Sequence, residues 1–279
     1  MLGKLIKNDF KASAYTMGFV YIAMAATVGL LMLAYLLDIS WIKTAGTIAL
    51  AVVGIVANIV TFVFIISNFK KTLYGPQGYL SFTLPVTSNQ LLFSKLFTSC
   101  TWMLISYGVA LGIWVGVFYY VKDAAEEYMD QTFGEELAQM FTELVASFTG
   151  VPSAVVIKAL VVFFAMMLFM LITVFIALLY FSITCSNIRI FQKMGGLTTV
   201  IVFFVLIIAS VNVFTWLTEN VALYVAFSEE GTRLLFDQYA QPVEGELKIE
   251  IAGFIFCILE VIGAFFATSY LMEKKVNLK

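Results

Sequence analysis

Histidine is absent from this sequence of 279 residues, and its absence excludes several kinds of active site. Histidine-based zinc sites, Ser-His-Asp triads and HExxH proteases all require an imidazole ring. The sequence also lacks the G-x-x-x-x-G-K-[ST] phosphate-binding loop. We therefore expect a chain that is not an enzyme, holds no cofactor or metal, and does not hydrolyse ATP alone.

Charged residues are also scarce, at 12% of the sequence, whereas a soluble domain averages about 25%. Cysteine is rare: Cys100 and Cys257 lie inside apolar runs, and Cys185 lies at the end of one. Because no cysteine falls in a long loop, the sequence indicates no disulfide framework.

Six long apolar runs account for most of what remains. They cover residues 17–37, 45–67, 96–121, 154–183, 197–217 and 249–272. Each run is long enough to cross a hydrocarbon core of about 30 Å as a helix, the form that pairs all backbone polar groups in lipid. The sequence predicts an all-α integral membrane protein, a single transmembrane domain over residues 1–279, without a cleavable signal peptide.

Basic residues are sorted by loop, which predicts the orientation of the chain. With a cytoplasmic N-terminus, most of the basic residues fall on the inside: Lys4, Lys7, Lys11, Lys70, Lys71, Lys95, Arg189, Lys193, Lys274, Lys275 and Lys279. Five basic residues fall outside: Lys43, Lys122, Lys158, Arg233 and Lys248. Most of the acidic residues also fall outside. The excess of cytoplasmic Lys and Arg predicts that both termini are cytoplasmic.

Residues 1–15 have an apolar face and a polar face at helical spacing. The apolar positions are Leu2, Leu5, Ile6, Phe10 and Ala14, and the polar ones are Lys4, Lys7, Asn8 and Lys11. This pattern predicts a short helix in the inner interface, with its lysines near lipid headgroups. An ordinary basic flank of the first span is the alternative.

The cytoplasmic segment 68–94 joins the second and third runs. Gly75, Pro76 and Gly78 are expected to break the helix, Pro85 ends a short apolar stretch, and Ser88 is a candidate N-cap of the next helix. A compact elbow with exposed apolar groups suits docking to a soluble partner. An ordinary connector is the alternative.

This segment resembles the YLTFTLPVS…QLLLSKL stretch of bacterial ABC exporter permeases of the type-2 group. The matching residues are Tyr79, Leu80, Ser81, Phe82, Thr83, Leu84, Pro85, Val86 and Thr87, then Gln90, Leu91, Leu92 and Lys95. Leu5, Ile6, Lys7, Asn8, Asp9, Phe10 and Lys11 resemble the opening of the same proteins. Ser88 and Asn89 depart from the pattern, since relatives often carry basic residues there.

The resemblance implies a permease subunit in the bacterial plasma membrane. Tyr79, Leu80, Ser81, Phe82, Thr83, Leu84 and Pro85 would belong to a coupling helix that docks on a separate ATP-binding subunit. A second permease, identical or related, would complete the translocation path. The partners implied are that ATPase, the second permease and membrane lipids, and no nucleic acid; peptide export is one possible activity.

Two outer segments carry further patterns. In residues 123–148, a stripe of Leu137, Met140, Phe141, Leu144, Val145 and Phe148 predicts an acidic amphipathic helix. This helix could gate an exit, receive a cationic peptide, or pack on the protein's own rim. The last outer loop, residues 218–248, resembles the short external helices of the family.

Within the spans, Gly108, Gly112 and Gly116 form a G-x-x-x-G-x-x-x-G face, which favours close helix packing within the chain or between two chains. Glu260 is an acid well inside a span. It could line a path, sense a proton or cation, or form a structural hydrogen bond between helices. Asn58 and Asn212 also lie in the middle of spans. They could line a path or form hydrogen bonds between helices.

Three other functions remain open from the sequence. A secondary transporter driven by an ion gradient would need a cluster of intramembrane polar groups, and one Glu with two Asn are few. A membrane enzyme is disfavoured because the sequence has no histidine and the spans have no paired carboxylates. A peptide-sensing or immunity membrane protein could use the acidic outer loops.

Overall fold

A computed structural model describes residues 2–36, 40–75, 78, 86–128, 153–188, 191, 194–221, 223–228, 231–236 and 247–274. The chain divides into two compact units. The first comprises Met1–Gly134 with Asn277–Lys279, and the second comprises Glu135–Val276.

The first unit contains three long helices, α1 (Leu2–Leu36), α2 (Ser40–Leu73) and α3 (Ser88–Tyr128), and each packs against the other two. Met24, Leu50, Ala57 and Ile113 form a buried apolar cluster among them. Gly54 of α2 faces α3, since a methyl group at this position would lie 3.7 Å from Ile113 Cγ2, an ordinary van der Waals distance.

Helix α2 ends at Leu73, as its glycines predict. The Tyr74 N–H still donates to the Lys70 carbonyl at 2.9 Å, and Gly78 N–H donates to the Gly75 carbonyl at 2.8 Å. A side chain at Gly75 would place its Cβ 2.8 Å from the Lys71 carbonyl oxygen. Only glycine fits this turn without displacing the backbone.

The second unit contains α4 (Ser153–Ser186), α5 (Gly196–Asn220), β1 (Tyr224–Ser228), β2 (Gly231–Leu235), β3 (Leu247–Glu250) and α6 (Ala252–Lys274). Helix α4 packs against α5 and α6. The strands form an antiparallel sheet in the order β2-β1-β3, with Val225 opposite both Leu234 and Ile249. The sheet contacts α4, and Ile251 N–H bonds the Leu223 carbonyl at 2.9 Å at the start of α6.

Six of the described helices are long and apolar enough, by length and composition, to span a membrane, which makes the chain a multi-pass membrane protein. The six predicted spans are confirmed as helices, and each helix extends beyond its apolar run at one or both ends. For example, α3 begins eight residues before the predicted run 96–121. The last helix, however, begins at Ala252 and not at residue 249, because Ile249 and Glu250 belong to β3. The terminal turns of these helices contain polar residues, so a search for apolar runs does not include them.

The predicted helix over residues 1–15 is helical but is not a separate element. It forms the first part of α1, which continues without a break to Leu36. The polar positions Lys4, Lys7, Asn8 and Lys11 are exposed, as predicted. Phe10, on the apolar face, packs against Phe97 and Trp102 of α3. Contact with α3 therefore takes up part of the face that was assigned to lipid, and the interfacial position stays a prediction.

External helices are wrong for the described part of loop 218–248, which contains β1, β2 and β3 instead. The helices were expected from the resemblance, whereas Tyr224, Val225, Phe227 and Thr232 are residues that favour strands. Gly231, at φ 142°, begins β2 in a backbone conformation suited to glycine. In the other outer segment, α3 continues to Tyr128, and the stripe from Leu137 to Phe148 lies outside the described residues.

Candidate functional site

A buried ion pair joins the N-terminal part of α1 to the start of α3. Lys95 Nζ donates to Asp9 Oδ1 at 2.5 Å, and the Ser94 hydroxyl donates to Asp9 Oδ2. The Asp9 side chain is 11% exposed and that of Lys95 is 8% exposed. Both oxygens of one carboxylate are thus bound by consecutive residues of the facing helix. Such double engagement makes up for part of the large cost of removing a charge from water.

Ser13 extends this contact by one turn along α1. Its hydroxyl donates to the Asp9 carbonyl at 2.7 Å and accepts a hydrogen bond from Trp102 Nε1 at 2.8 Å. The Trp102 ring lies against Phe10, with centroids 5.9 Å apart. We call Asp9, Ser13, Ser94, Lys95 and Trp102 the Asp9 cluster.

Further along α1 and α3, three hydroxyls connect all three helices of the first unit. Thr61 of α2 donates to its own Ala57 carbonyl at 2.8 Å and lies 2.8 Å from the Ser106 hydroxyl. Ser106 therefore donates to Thr61, and Tyr21 of α1, at 3.0 Å, donates to Ser106. We call Tyr21, Ser106 and Thr61 the hydroxyl chain.

The periodicity of α1 and α3 explains why these groups meet. Asp9, Ser13 and Tyr21 follow at steps of four and eight along α1, and Ser94, Trp102 and Ser106 follow at steps of eight and four along α3. Residues at such spacing lie on one side of a helix. A row of polar side chains on α1 therefore faces a row of polar side chains on α3 over more than three turns, beside the apolar contact of Phe10. The arrangement holds two helices in register and contains no constellation for covalent chemistry.

The predicted coupling residues, Tyr79, Leu80, Ser81, Phe82, Thr83, Leu84 and Pro85, lie outside the described residues. The structure describes the residues on each side of them. On the far side, Thr87 rather than Ser88 is the N-cap of α3, because its Oγ1 accepts from Gln90 N–H at 3.4 Å. From this cap, Ser94 and Lys95 are two turns along α3.

The glycine face of α3 does not pack within the first unit. Gly108, Gly112 and Gly116 are exposed, and a methyl group added to any of them would meet no described atom of α1 or α2 within 4 Å. Packing between two chains through these glycines stays a prediction. Small residues that do pack in the first unit include the buried Ala57 and Ala110, which lie outside this glycine repeat.

The proposed path-lining residues each have their own nearby partner. Ser210 of α5 donates to Glu260 Oε2 of α6 at 2.7 Å. Asn212 donates to the Ile208 carbonyl at 2.6 Å and Asn58 to the Gly54 carbonyl at 2.9 Å, each within its own helix. Asn58 Oδ1 is buried and has no partner among the described residues. Glu260 and Asn212 lie in one unit and Asn58 lies in the other. Glu260 and Asn212 bind different partners, the Ser210 hydroxyl and the Ile208 carbonyl.

The sequence patterns did not predict the Asp9 cluster. Asp9 and Lys95 belong to two separate motifs, and neither motif indicates that the two side chains meet. The signal available was an acid in an otherwise basic N-terminal segment and a lysine at the edge of an apolar run. Among the described residues, no group of three or more His, Cys, Asp or Glu could hold a metal ion.

Comparison with known proteins leaves the chain without a match: no family model, no curated protein and no solved structure is similar to it.

Proposed function

We propose that this chain is the membrane permease subunit of an ATP-driven bacterial exporter of the ABC type. A separate ATP-binding subunit would supply the energy by docking on the elbow at residues 79–85. A second permease would complete the path. Both termini would be cytoplasmic, and this chain would perform no hydrolysis itself.

The observation that carries the proposal is the contact between the two motif stretches. Two stretches of the sequence each resemble a segment of such permeases: Leu5 to Lys11 and Gln90 to Lys95. In the folded chain, Asp9 of the first stretch binds Ser94 and Lys95 of the second. A buried ion pair between Asp9 and Lys95, 86 positions apart in the sequence, favours one common role for the two stretches.

Position suggests what that role is. The Asp9 cluster lies two turns of α3 beyond the residues that would touch the ATPase. A displacement of the elbow would move the start of α3, and the Asp9 cluster would carry α1 with it. ATP binding can do work only if it favours one arrangement of the helices over another. We therefore assign the Asp9 cluster a positioning role: it would pass a movement of the elbow from α3 to α1.

The test separates docking from coupling. The tagged chain is expressed with its chromosomal neighbours and purified in mild detergent, as the wild type, with residues 79–84 replaced by alanine, and as Asp9→Asn with Lys95→Met. We expect a stoichiometric ATPase with the wild type, none with the alanine variant, and a bound ATPase with the Asp9 and Lys95 variant. Of these three samples, only the wild type should show an ATPase activity in proteoliposomes that changes when the permease is present.

A matched control is Lys7→Asn with Lys11→Met, which changes exposed residues of α1 and should keep both binding and coupling. If no ATPase co-purifies with the wild type, the exporter proposal fails. If the Asp9 and Lys95 variant keeps full coupling, the assigned role of the Asp9 cluster fails while the exporter proposal stands.

A further inference from the structure

The second unit contains a cavity of about 300 Å³ between the sheet, the first half of α4 and the N-terminal end of α6. Eleven side chains line it, and all are aliphatic, aromatic or thioether groups. This volume is about twice that of an engineered apolar cavity that stays dry and binds benzene. Its lining offers no hydrogen-bond partner to water, so an apolar occupant is favoured.

The walls come from three elements. Phe163, Met166 and Met170 recur at helical spacing along α4, and Phe163 meets Phe254 of α6 edge to face at 5.5 Å. Val225 of β1 pairs with Ile249 of β3, so both side chains lie on one face of the sheet, as does Phe227 two residues on. One apolar face of the sheet therefore covers the cavity.

The depth of the cavity matches one leaflet of a bilayer. Ile258 lines it six residues into α6, which is about 9 Å along the helix from Ala252. The hydrocarbon of one leaflet is about 15 Å thick, half of the core. The cavity thus extends from the sheet at the end of the span into the depth that acyl chains occupy.

The sheet also offers an apolar approach to the cavity. Leu234 of β2 is paired with Val225, so it lies on the same face, and it is 58% exposed. On the α6 side, Ile258 is 43% exposed, so the cavity is open rather than sealed. Two methionines in the lining add side chains that adapt to the shape of a flexible occupant.

We propose that this cavity binds an acyl chain of a membrane lipid from the leaflet on the side of the sheet. The assignment requires only that α4 and α6 span the membrane, and it is independent of the exporter proposal. The bound chain would lie beneath the sheet and against α4 and α6, and it would be retained more strongly than the lipid around the protein.

The experiment uses the full chain in vesicles of phosphatidylethanolamine and phosphatidylglycerol containing a trace of phospholipid with a diazirine on its acyl chain. Samples are irradiated either in the vesicles or after extraction into detergent free of lipid, and labelled residues are mapped by mass spectrometry. We expect labelling of Met166 and Met170 in both samples. Leu259, which is 61% exposed and does not line the cavity, should be labelled only in the vesicles.

Two matched variants test the location. Ile258→Trp fills the cavity and should abolish the label that persists in detergent, whereas Leu259→Trp, on the neighbouring position of α6, should leave it unchanged. Met166→Trp, read at Met170, provides a second filling variant should Ile258→Trp melt at a lower temperature than wild type.

Three results would overturn the assignment. The label at Met166 and Met170 could vanish in detergent together with that at Leu259, which would mean ordinary surrounding lipid. It could persist in both filled variants, which would place the lipid elsewhere. A leucine-rich peptide carrying photo-leucine could label Met166 and Met170 where the lipid does not, which would mean that the occupant is a peptide.

Discussion

Thr61 and Thr98 are both buried hydroxyl residues of the first unit, and they differ in their hydrogen bonds. Thr61 accepts from Ser106 and donates to the Ala57 carbonyl. Thr98 Oγ1 is buried without a partner among the described residues. A buried polar atom costs free energy when its partner is missing, whereas a satisfied one contributes modestly. The same substitution should therefore have opposite effects at the two positions.

We predict that Thr61→Val lowers the free energy of unfolding by about 1 kcal/mol, because Ser106 loses its acceptor. Thr98→Val removes an unsatisfied hydroxyl and should leave stability unchanged or raise it. Unfolding in mixed detergent micelles, followed by tryptophan fluorescence, measures both. Equal losses for the two variants would contradict the assigned hydrogen bonds.

Glu260 allows a second prediction for a single residue. Its hydrogen bond from Ser210 needs an acceptor and not a charge. We expect Glu260→Gln to retain stability and, under the exporter proposal, the ATPase activity of the complex, whereas Glu260→Leu loses about 1 kcal/mol of stability through the unpaired Ser210 hydroxyl. Unfolding in micelles and ATPase assays of the complex in proteoliposomes check the pair. Loss of activity in a stable Glu260→Gln variant would contradict a purely structural role of the carboxyl group.

Among the elements, the junction of β3 and α6 shows how the sheet is attached to a span. Glu250 ends β3, and its Oε1 accepts from the N–H groups of Ala252 at 2.6 Å and Gly253 at 3.3 Å. A carboxylate at this point satisfies unpaired donors of the first turn and interacts favourably with the helix dipole. The strand therefore positions the start of α6, and with it one wall of the cavity.

We predict that Glu250→Ala speeds amide hydrogen exchange at Ala252 and Gly253 and lowers stability by about 1 kcal/mol, as the loss of an N-cap does. Glu250→Gln keeps an acceptor and should give an intermediate effect. Exchange followed by mass spectrometry in detergent resolves this turn from the rest of α6. If exchange there is unchanged in Glu250→Ala, the side chain is not the cap.

At the scale of the whole molecule, the distribution of charge predicts an orientation in the membrane. The exposed N-terminal lysines belong to α1, and the sheet lies between α5 and α6 in the chain, so an odd number of spans separates the two. They should be on opposite sides of the membrane. The positive-inside rule assigns α1's lysines to the cytoplasm and the sheet to the outside.

We predict that a cysteine replacing Thr232, in a chain whose three native cysteines are replaced, reacts with a membrane-impermeant maleimide in intact cells. A cysteine replacing Asn8 should react only after permeabilisation. Both positions are exposed, so accessibility to water does not separate them. The reverse labelling pattern would invert the proposed topology.

The number and type of the spans could be predicted because lipid leaves few alternatives. A long apolar run must form its backbone hydrogen bonds internally, so composition alone decides that it is a helix. The break after Leu73 was likewise local, since Gly75 determines it through its own backbone. In the last outer loop the resemblance was misleading, because strand pairing between residues as far apart as Val225 and Ile249 decides that structure.

Which polar residues meet was decided only by tertiary structure. Asp9 and Lys95 are 86 positions apart, and nothing in either segment specifies the other as its partner. The contact arises because α1 and α3 pack with one row of polar side chains from each helix together, which depends on how the side chains along both helices fit. The same holds for the cavity, whose lining comes from α4, α6 and the sheet. The sequence by itself determined a multi-pass helical membrane protein, and packing determined where its candidate sites lie.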